Sequence, residues 1–402
     1  MRPFCDEIQK WITPLCDAVG GYMSYCVGIV LGYFLYFRNH SKIIYGFAFL
    51  YACIIFGLNY QNPDYFAYQR IYYGWKNSEL FSASMESGFK FLCEIGQILG
   101  LDYQEMCCIF GLIGLTLISK TIIDYSPYPN LVFLIYLLYP FPIDVVQIRS
   151  FLATAVFVFS IRYIIEYQKS LKKWNILYAF LCLIIAISFH KMAILLLGII
   201  FVIIVPKGNQ KLYWGALVLL VPAAIYVLPI ISPYMQELIP FFAGKIRRWI
   251  SIINFTTVLH LLRIVVVRGA FVALCALAKR ISRISADRNN EGNIYNRTLW
   301  SFFLGTIVIS IILEGFFAAE FERVSRAGLI IGYILITRYA YKMSRDNRTI
   351  VFAGSLIFGV SYFIDKMFIQ SFGYDLNYFT VVFRQVFEHN LLFDQLDLLF
   401  SL

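Results

Sequence analysis

The chain has 402 residues, of which 60% are hydrophobic and only 14% are charged. A water-soluble domain of this size would need far more polar surface to cover its core, so the composition excludes a soluble enzyme. The chain has a net charge of +10. In a membrane protein this excess of basic residues is interpreted by the side of the membrane on which they lie, and it does not indicate a nucleic-acid partner. We predict an all-α, polytopic integral membrane protein.

Twelve apolar runs are candidates for membrane-crossing helices, which need about 20 residues each. Three runs, at 106–119, 130–141 and 193–205, are short, so we expect each to extend past these bounds, to tilt little or to be partly re-entrant. Together the runs form a single transmembrane helical domain over residues 1–402. The predicted spans are 22–37, 43–58, 106–119, 130–141, 146–165, 174–189, 193–205, 212–231, 257–278, 298–317, 327–341 and 349–363.

The basic residues of the loops set the predicted orientation. One set of short connections carries 18 Lys and Arg against five Asp and Glu, and the positive-inside rule places this set in the cytoplasm. Both termini then lie outside, as do the long loops 59–105 and 232–256. Within the first loop, apolar positions of residues 89–99 recur at helical spacing, which predicts an amphipathic helix. Because the cytoplasmic connections are short, we expect the chemistry at the outer leaflet.

The first candidate cluster follows the second span, in the segment NYQNPDYFAYQRIYY. Tyr65 and Tyr68 offer aromatic faces and hydroxyl groups, on which sugar rings stack and to which they hydrogen-bond. An interfacial aromatic belt would explain the tyrosines without a ligand. Such a belt does not explain Asp64, which we therefore consider a candidate catalytic carboxylate.

Arg149 and His190 lie at the far ends of two consecutive spans. Each span covers about 25 Å as a helix, so both side chains are expected at the same outer membrane face. A guanidinium matches the oxygens of a diphosphate, and His190 is the best-placed general base among the four histidines. Two alternatives stay open, namely a helix-end salt bridge between Arg149 and Asp144 and a His190 that is simply hydrogen-bonded.

The span 257–278 contains Arg263 and Arg268. Placing an arginine in a bilayer costs at least ~2.5 kcal/mol unless it is paired or solvated, so both are expected to line a polar cavity. Arg263 is a candidate diphosphate ligand. Glu314 in the following span is an available partner for Arg263, and a structural ion pair between them is the alternative.

Further basic residues lie on the predicted outer face. Arg323 and Arg326 are about one helical turn apart at the outer end of a span, and Arg248 lies in the segment AGKIRRWISI. The positive-inside rule concentrates basic residues in the cytoplasmic loops, so basic residues on this acid-rich outer face are exceptions to it. Their position favours the binding of an anion. Snorkelling of long side chains to the interface is the alternative.

Several of these segments resemble the EpsG/Wzy-type family of polysaccharide polymerases. They are NPDYFAYQRIYY, ESGFKFL, IRSFLATAVFVFSIRYI, SFHKMAIL and FERVSRAGLIIGY, and they extend over about residues 59–340. The resemblance implies an enzyme of the bacterial inner membrane that joins lipid-linked oligosaccharide repeats at the outer face, with undecaprenyl diphosphate as the carrier. The candidate residues that occupy the resembling segments are Asp64, Arg149, His190, Arg323 and Arg326.

The resulting hypothesis is an inverting glycosyl transfer that needs neither a metal nor a cofactor. His190, or otherwise Asp64, takes the proton from the acceptor hydroxyl, and Tyr65 and Tyr68 stack the sugars. The expected partners are an undecaprenyl-diphosphate-linked oligosaccharide, membrane lipid and a chain-length regulator protein. The arginines expected to stabilise the departing diphosphate are Arg149, Arg248, Arg263, Arg323 and Arg326.

Two other functions stay open. A flippase or exporter of lipid-linked oligosaccharide predicts charged residues along the whole length of a central cavity, whereas here they gather in the outer half, with Arg268 as the main exception. A membrane O-acyltransferase of polysaccharide would also use an embedded histidine and arginines. That enzyme would collect its acyl donor from the cytoplasm, whereas His190 and most of the candidate arginines are predicted to face outward.

Overall fold

The computed structural model describes residues 22–38, 40–74, 86–204, 215, 255–284, 290–316, 322–369 and 379–400. Within these ranges every named element is helical, and extended pairing is confined to one isolated bridge between Asn59 and Asn390. This confirms the all-α prediction. The chain divides into a first unit, residues 1–152 with 356–402, and a second unit, residues 153–355.

The helices differ widely in length, and several are interrupted by 3₁₀ or π turns. A 3₁₀ segment, Lys191–Leu196, precedes α10, and π turns follow α14 at Asp365–Ile369 and precede α15 at Phe379–Arg384. In chain order the α-helices are α1 (Tyr22–Phe37), α2 (Lys42–Leu58), α3 (Tyr65–Gly74), α4 (Ser87–Ile98), α5 (Tyr103–Tyr125), α6 (Pro129–Leu138), α7 (Phe141–Val146), α8 (Ile148–Ser170), α9 (Lys173–Phe189), α10 (Leu197–Ile204), α11 (Phe255–Ile284), α12 (Asn290–Phe316), α13 (Glu322–Tyr341), α14 (Arg345–Ile364), α15 (Gln385–Glu388) and α16 (Leu391–Phe400).

Four of the described helical segments are long and apolar enough to cross a membrane, and five shorter apolar helices accompany them. The four are Tyr103–Tyr125, Ile148–Ser170, Ile294–Glu314 and Arg345–Phe368. The first extends past both bounds of the predicted span 106–119, as expected for that short run. The total of twelve spans and the orientation stay predictions. Nearly all of the predicted span 212–231 and of the predicted loop 232–256 lies outside the described residues.

The predicted span 130–141 is interrupted in the structure. It consists of α6 and the beginning of the six-residue α7, because Pro140 and Pro142 lack the N–H group that would continue the hydrogen-bond ladder. α6 alone covers only about 15 Å. Asp144 of α7 is fully buried and accepts a hydrogen bond from the Tyr136 hydroxyl at 3.1 Å.

The end of α2 is tied to the C-terminal segment of the first unit. Asn59 Nδ2 donates to the backbone carbonyls of Gln385, Val386 and His389 at 2.8–3.2 Å. Its own Oδ1 accepts from Asn62 at 2.7 Å. These bonds satisfy polar groups that are buried, and they fix the segment that leads into α3.

α4 is the helix predicted within the loop 59–105. It buries Phe89 and Cys93 and leaves Phe91 and Ile98 exposed. Exposed apolar side chains of this size suit a helix that lies at a membrane interface. Its position relative to the membrane stays a prediction.

In the second unit, α13 packs closely on α11 and α12 through Gly328 and Gly332. A Cβ atom at Gly332 would lie 2.5 Å from the ring of Phe271 and 2.8 Å from the ring of Phe303. Small residues four positions apart let neighbouring membrane helices approach closely. This contact holds α13, on which two of the predicted arginines lie.

We expect Gly332→Ala to lower the free energy of unfolding by about 1–3 kcal/mol, because an added methyl group overpacks the contact and both phenyl rings are fully buried. Gly269→Ala on α11 is the matched control, since a Cβ atom there would have nothing within 4 Å. Thermal unfolding of the purified protein in detergent measures both variants. Equal unfolding midpoints would contradict this tight packing.

Candidate functional site

The predicted site residues divide between the two units. The first unit contains Asp64, Tyr65, Tyr68 and Arg149, and the second contains His190, Arg263, Arg323 and Arg326. Arg248 lies outside the described residues. A single chamber that joins all of these side chains stays a prediction.

The second unit brings two of the predicted residues into direct contact. α9 ends at Phe189, and His190 follows it with an extended backbone (φ −152°, ψ 118°) that leads into the 3₁₀ segment. The imidazole Nε2 lies 2.8 Å from Nη1 of Arg323, which is in the first turn of α13. The imidazole is buried, and the guanidinium is half-buried. Packing thus joins two residues that are 133 positions apart in the sequence.

This contact determines where the imidazole carries its proton. A guanidinium has only N–H donors, so Nε2 of His190 must accept the hydrogen bond. The ring proton is then on Nδ1, and the imidazole is neutral. A neutral imidazole is a general base, but here its lone pair is already occupied by Arg323. An anion that draws Arg323 away would make the same lone pair available to a proton.

Arg326 lies about one turn further along α13 and is fully buried, as are most of its neighbours on that helix. Removing a guanidinium from water costs several kcal/mol unless other groups compensate for the lost hydration. Arg326 interacts with other groups of the protein. Arg263 on α11 is half-buried and also interacts with other groups of the protein. Contact of these two arginines with a diphosphate stays a prediction.

A buried ion pair joins α11 to α12. Arg268 Nη2 pairs with Glu314 Oε2, and Arg268 Nη1 donates to Ser310 Oγ at 3.0 Å. The two charged residues are each 2% exposed. The structure brings Glu314 against Arg268, five residues further along the helix than Arg263. A pair between Glu314 and Arg263 stays a prediction.

In the first unit, Arg149, Tyr68 and Glu86 form what we call the Arg149 cluster. Arg149 Nη1 lies 2.6 Å from Glu86 Oε2, and Arg149 Nε lies 3.4 Å from the Tyr68 hydroxyl. The guanidinium carbon is 5.5 Å from the centroid of the Tyr68 ring. Phe151 packs on Phe56, with ring centroids 4.7 Å apart, and holds the start of α8 in place.

The Arg149 cluster is suited to an anion. Arg149 lies in the first turn of α8, where backbone N–H groups and the positive end of the helix dipole also favour negative charge. Glu86 supplies that charge in the structure, with its side chain only 7% exposed. A diphosphate that binds Arg149 must therefore compete with this carboxylate.

Glu86 is a residue that sequence reasoning missed. It opens the segment ESGFKFL and precedes α4, so an acid on the predicted outer face was visible in the sequence. Nothing local indicates that it pairs with an arginine 63 positions later. Only the packing of α3, α4 and α8 brings the two side chains together.

Asp64 and the two predicted sugar-binding tyrosines lie at the start of α3. Tyr65 is buried, packs edge-on against Tyr103 with centroids 5.1 Å apart, and donates to Gln104 Oε1 at 2.8 Å. Burial raises the pKa of Tyr65 to about 12. Tyr68 is buried in the Arg149 cluster, and Asp64 is half-buried. Contact of the tyrosines with sugars and catalysis by Asp64 stay predictions.

Comparison with known proteins matches most of the chain to one family model. The model is described as the EpsG family, and the match covers residues 42–380. This range contains the Arg149 cluster and the contact between His190 and Arg323. No curated protein and no solved structure matches the chain.

We expect Glu314→Gln to lower the free energy of unfolding by about 3–5 kcal/mol, because it leaves the buried Arg268 without its counter-charge. The double variant Arg268→Met with Glu314→Leu removes both charges and should recover most of that loss. Thermal unfolding in detergent measures both proteins. Lys120→Ala, in an exposed pair with Asp124, is the control and should cost less than about 1 kcal/mol. A double variant as unstable as the single one would rule out an effect of unpaired charge.

Proposed function

The chain belongs to the EpsG family, and from this premise we propose that it polymerises oligosaccharide repeats linked to undecaprenyl diphosphate at the outer face of a bacterial inner membrane. The family is associated with Wzy-type polysaccharide polymerases. The observation that carries the proposal is the contact of His190 with Arg323 at 2.8 Å. It brings together a base and a cation, the two kinds of group that the proposed transfer from a diphosphate uses.

The proposed reaction breaks the bond between the anomeric carbon of the growing chain and its diphosphate oxygen. The acceptor hydroxyl of the next repeat attacks that carbon from the opposite side, so the new glycosidic bond forms with inversion. The electron pair of the broken bond leaves with the diphosphate, and the hydroxyl proton passes to Nε2 of His190. Arg323 stabilises the negative charge that develops on the leaving oxygen.

Arg323 links leaving-group binding to activation of the base. In the free protein its guanidinium donates to Nε2 of His190. The diphosphate oxygens draw the guanidinium towards themselves, because a charge-assisted bond to an anion is stronger than one to a neutral ring. His190 therefore becomes a base only when a donor is bound, which limits proton abstraction from water in its absence.

The other predicted residues take supporting roles in the same proposal. Asp64 is the alternative base, and Tyr65 and Tyr68 contact the sugars. A chain-length regulator is the proposed protein partner, and the transfer uses neither a metal nor a cofactor. The arginines proposed to bind diphosphate oxygens beside Arg323 are Arg149, Arg248, Arg263 and Arg326.

Transport and acyl transfer are less well supported. A flippase does not require a base, whereas the contact between His190 and Arg323 pairs one with a cation. The family match supports polysaccharide polymerisation over O-acylation. A deletion strain separates polymerase from flippase, because loss of a polymerase leaves single repeats on lipid at the outer face, and loss of a flippase traps them inside.

We expect His190→Ala to reduce polymerisation by about a hundredfold or more, the usual contribution of a general base. The assay is extension of lipid-linked repeats by the purified protein in proteoliposomes, with membrane abundance matched. His40→Ala, at an exposed histidine, is the control and should extend chains normally. Normal polymer length with His190→Ala would remove this residue from the mechanism.

Replacement of Arg323 tests the cation separately from the base. Arg323→Lys keeps a positive charge without the planar fork, so we expect a loss of about tenfold in kcat, against about a hundredfold or more for Arg323→Ala. Arg345→Ala, at an exposed arginine of the same unit, should have no effect. Equal activity of the lysine and alanine variants would contradict a role for charge at this position.

A further inference from the structure

α3 has a buried face and an exposed face. The side chains of the buried face, none of them more than 7% exposed, are Tyr65, Tyr68 and Tyr72. On the exposed face, Phe66, Arg70 and Tyr73 follow one another at positions i, i+4 and i+7, so they form one row along the helix. We call these three residues the exposed row of α3. Phe66 is 52% and Tyr73 is 57% exposed, and the row is about 10 Å long.

Each aromatic ring of the row packs edge-on against a buried tyrosine. The ring of Phe66 is inclined at 90° to that of Tyr65, with centroids 5.4 Å apart. The ring of Tyr73 is inclined at 82° to that of Tyr72, with centroids 5.2 Å apart. Edge-to-face pairs of this kind are favourable arrangements of aromatic side chains. They hold two rings in place although more than half of each ring residue is open to solvent.

Hydrogen bonds to the start of α5 fix the same end of α3. The backbone N–H of Tyr103 donates to the Tyr73 hydroxyl at 3.0 Å, and the Tyr72 hydroxyl donates to the carbonyl of Leu101 at 2.8 Å. The ring of Tyr73 is therefore held at its hydroxyl end as well as by the buried ring beside it. A surface that is already ordered loses little conformational entropy when a ligand binds.

Arg70 occupies the position between the two rings in the row. Within the part of the chain that the structure describes, its side chain takes part in neither an ion pair nor a hydrogen bond. A guanidinium has several N–H donors in one plane. These donors are therefore available to a ligand that is rich in oxygen atoms.

The neighbouring helix α4 exposes a different kind of side chain. Two of its exposed apolar residues, Ile98 and Leu99, are aliphatic and are 83% and 65% exposed, which suits the acyl region of a membrane. Over residues 65–74, all of which the structure describes, the large exposed apolar side chains are both aromatic. Flat aromatic faces beside hydrogen-bond donors are complementary to sugar rings, which combine apolar C–H faces with hydroxyl groups. The exposed row of α3 thus fits a carbohydrate better than it fits acyl chains.

We propose that the exposed row of α3 binds a stretch of oligosaccharide, with sugar rings stacked on Phe66 and Tyr73 and with Arg70 donating to sugar oxygens. The identity of this ligand rests on the proposed function. The site extends the sugar contacts proposed for Tyr65 and Tyr68 to the exposed side of the same helix. It lies in the segment predicted to be outside, where the repeats are proposed to be joined.

The experiment measures oligosaccharide binding to the purified full-length protein in detergent by isothermal titration calorimetry. The probe is a fraction of uniform size, released by partial acid hydrolysis from the surface polysaccharide of cells that carry this protein. We expect Phe66→Ala to weaken binding about tenfold through loss of stacking, and Arg70→Ala to weaken it about tenfold through loss of charged donors. Phe91→Ala and Arg38→Ala, at exposed residues of the same types in the same unit, are the matched controls and should bind normally.

Phe66→Leu separates a sugar site from a face that only rests on the membrane. It keeps apolar surface but removes the flat ring, so we expect it to bind oligosaccharide as weakly as Phe66→Ala. A membrane-resting face predicts unchanged binding in both variants and in Arg70→Ala, and that result would overturn the site. Absence of binding by the unaltered protein would overturn it as well. Thermal unfolding midpoints check that each exposed substitution leaves the fold intact.

Failure of this site and failure of the proposed function give different results. In the extension assay, variants of the row should raise KM for the lipid-linked repeat and leave kcat unchanged, as expected for lost substrate binding. Extension and oligosaccharide binding that are both insensitive to the row would reject the site and keep the polymerase. Oligosaccharide binding that depends on the row, in a protein that does not extend chains, would keep the site and reject the polymerase.

Discussion

A guanidinium inside a membrane protein must find its compensating groups within the protein, because lipid offers none. Arg268 meets this requirement through Glu314 and Ser310, which join α11 to α12. Arg149 meets it through Glu86 and Tyr68, which join α8 to α4 and α3. In each unit an arginine therefore ties neighbouring elements together.

Two arginines of the second unit have described partners of different charge. Glu314 opposes the charge of Arg268 with a full negative charge, so this pair is suited to holding two helices together. Arg323 donates to the neutral imidazole of His190, which is the base in the proposed transfer. A diphosphate would bind this guanidinium more strongly than the neutral imidazole does. The lone pair of His190 would then be free to accept a proton.

α13 carries an arginine near each of its ends. Its first turn carries Arg323 and its last turn carries Arg338, while Gly328 and Gly332 keep the middle of the helix tightly packed. These close contacts fix the position of α13 against α11 and α12.

Hydropathy, helical spacing and loop charge are local properties, so the sequence by itself determined the all-α membrane class, the family resemblance and the candidate cations. It also placed an unusually short run at 130–141, which the structure divides at Pro140. Only the tertiary structure decided that Glu86 forms an ion pair with Arg149, that Glu314 forms one with Arg268, and that Arg323 contacts His190. Those partners are 63, 46 and 133 positions apart, and such pairings follow from how helices pack, which no local pattern encodes.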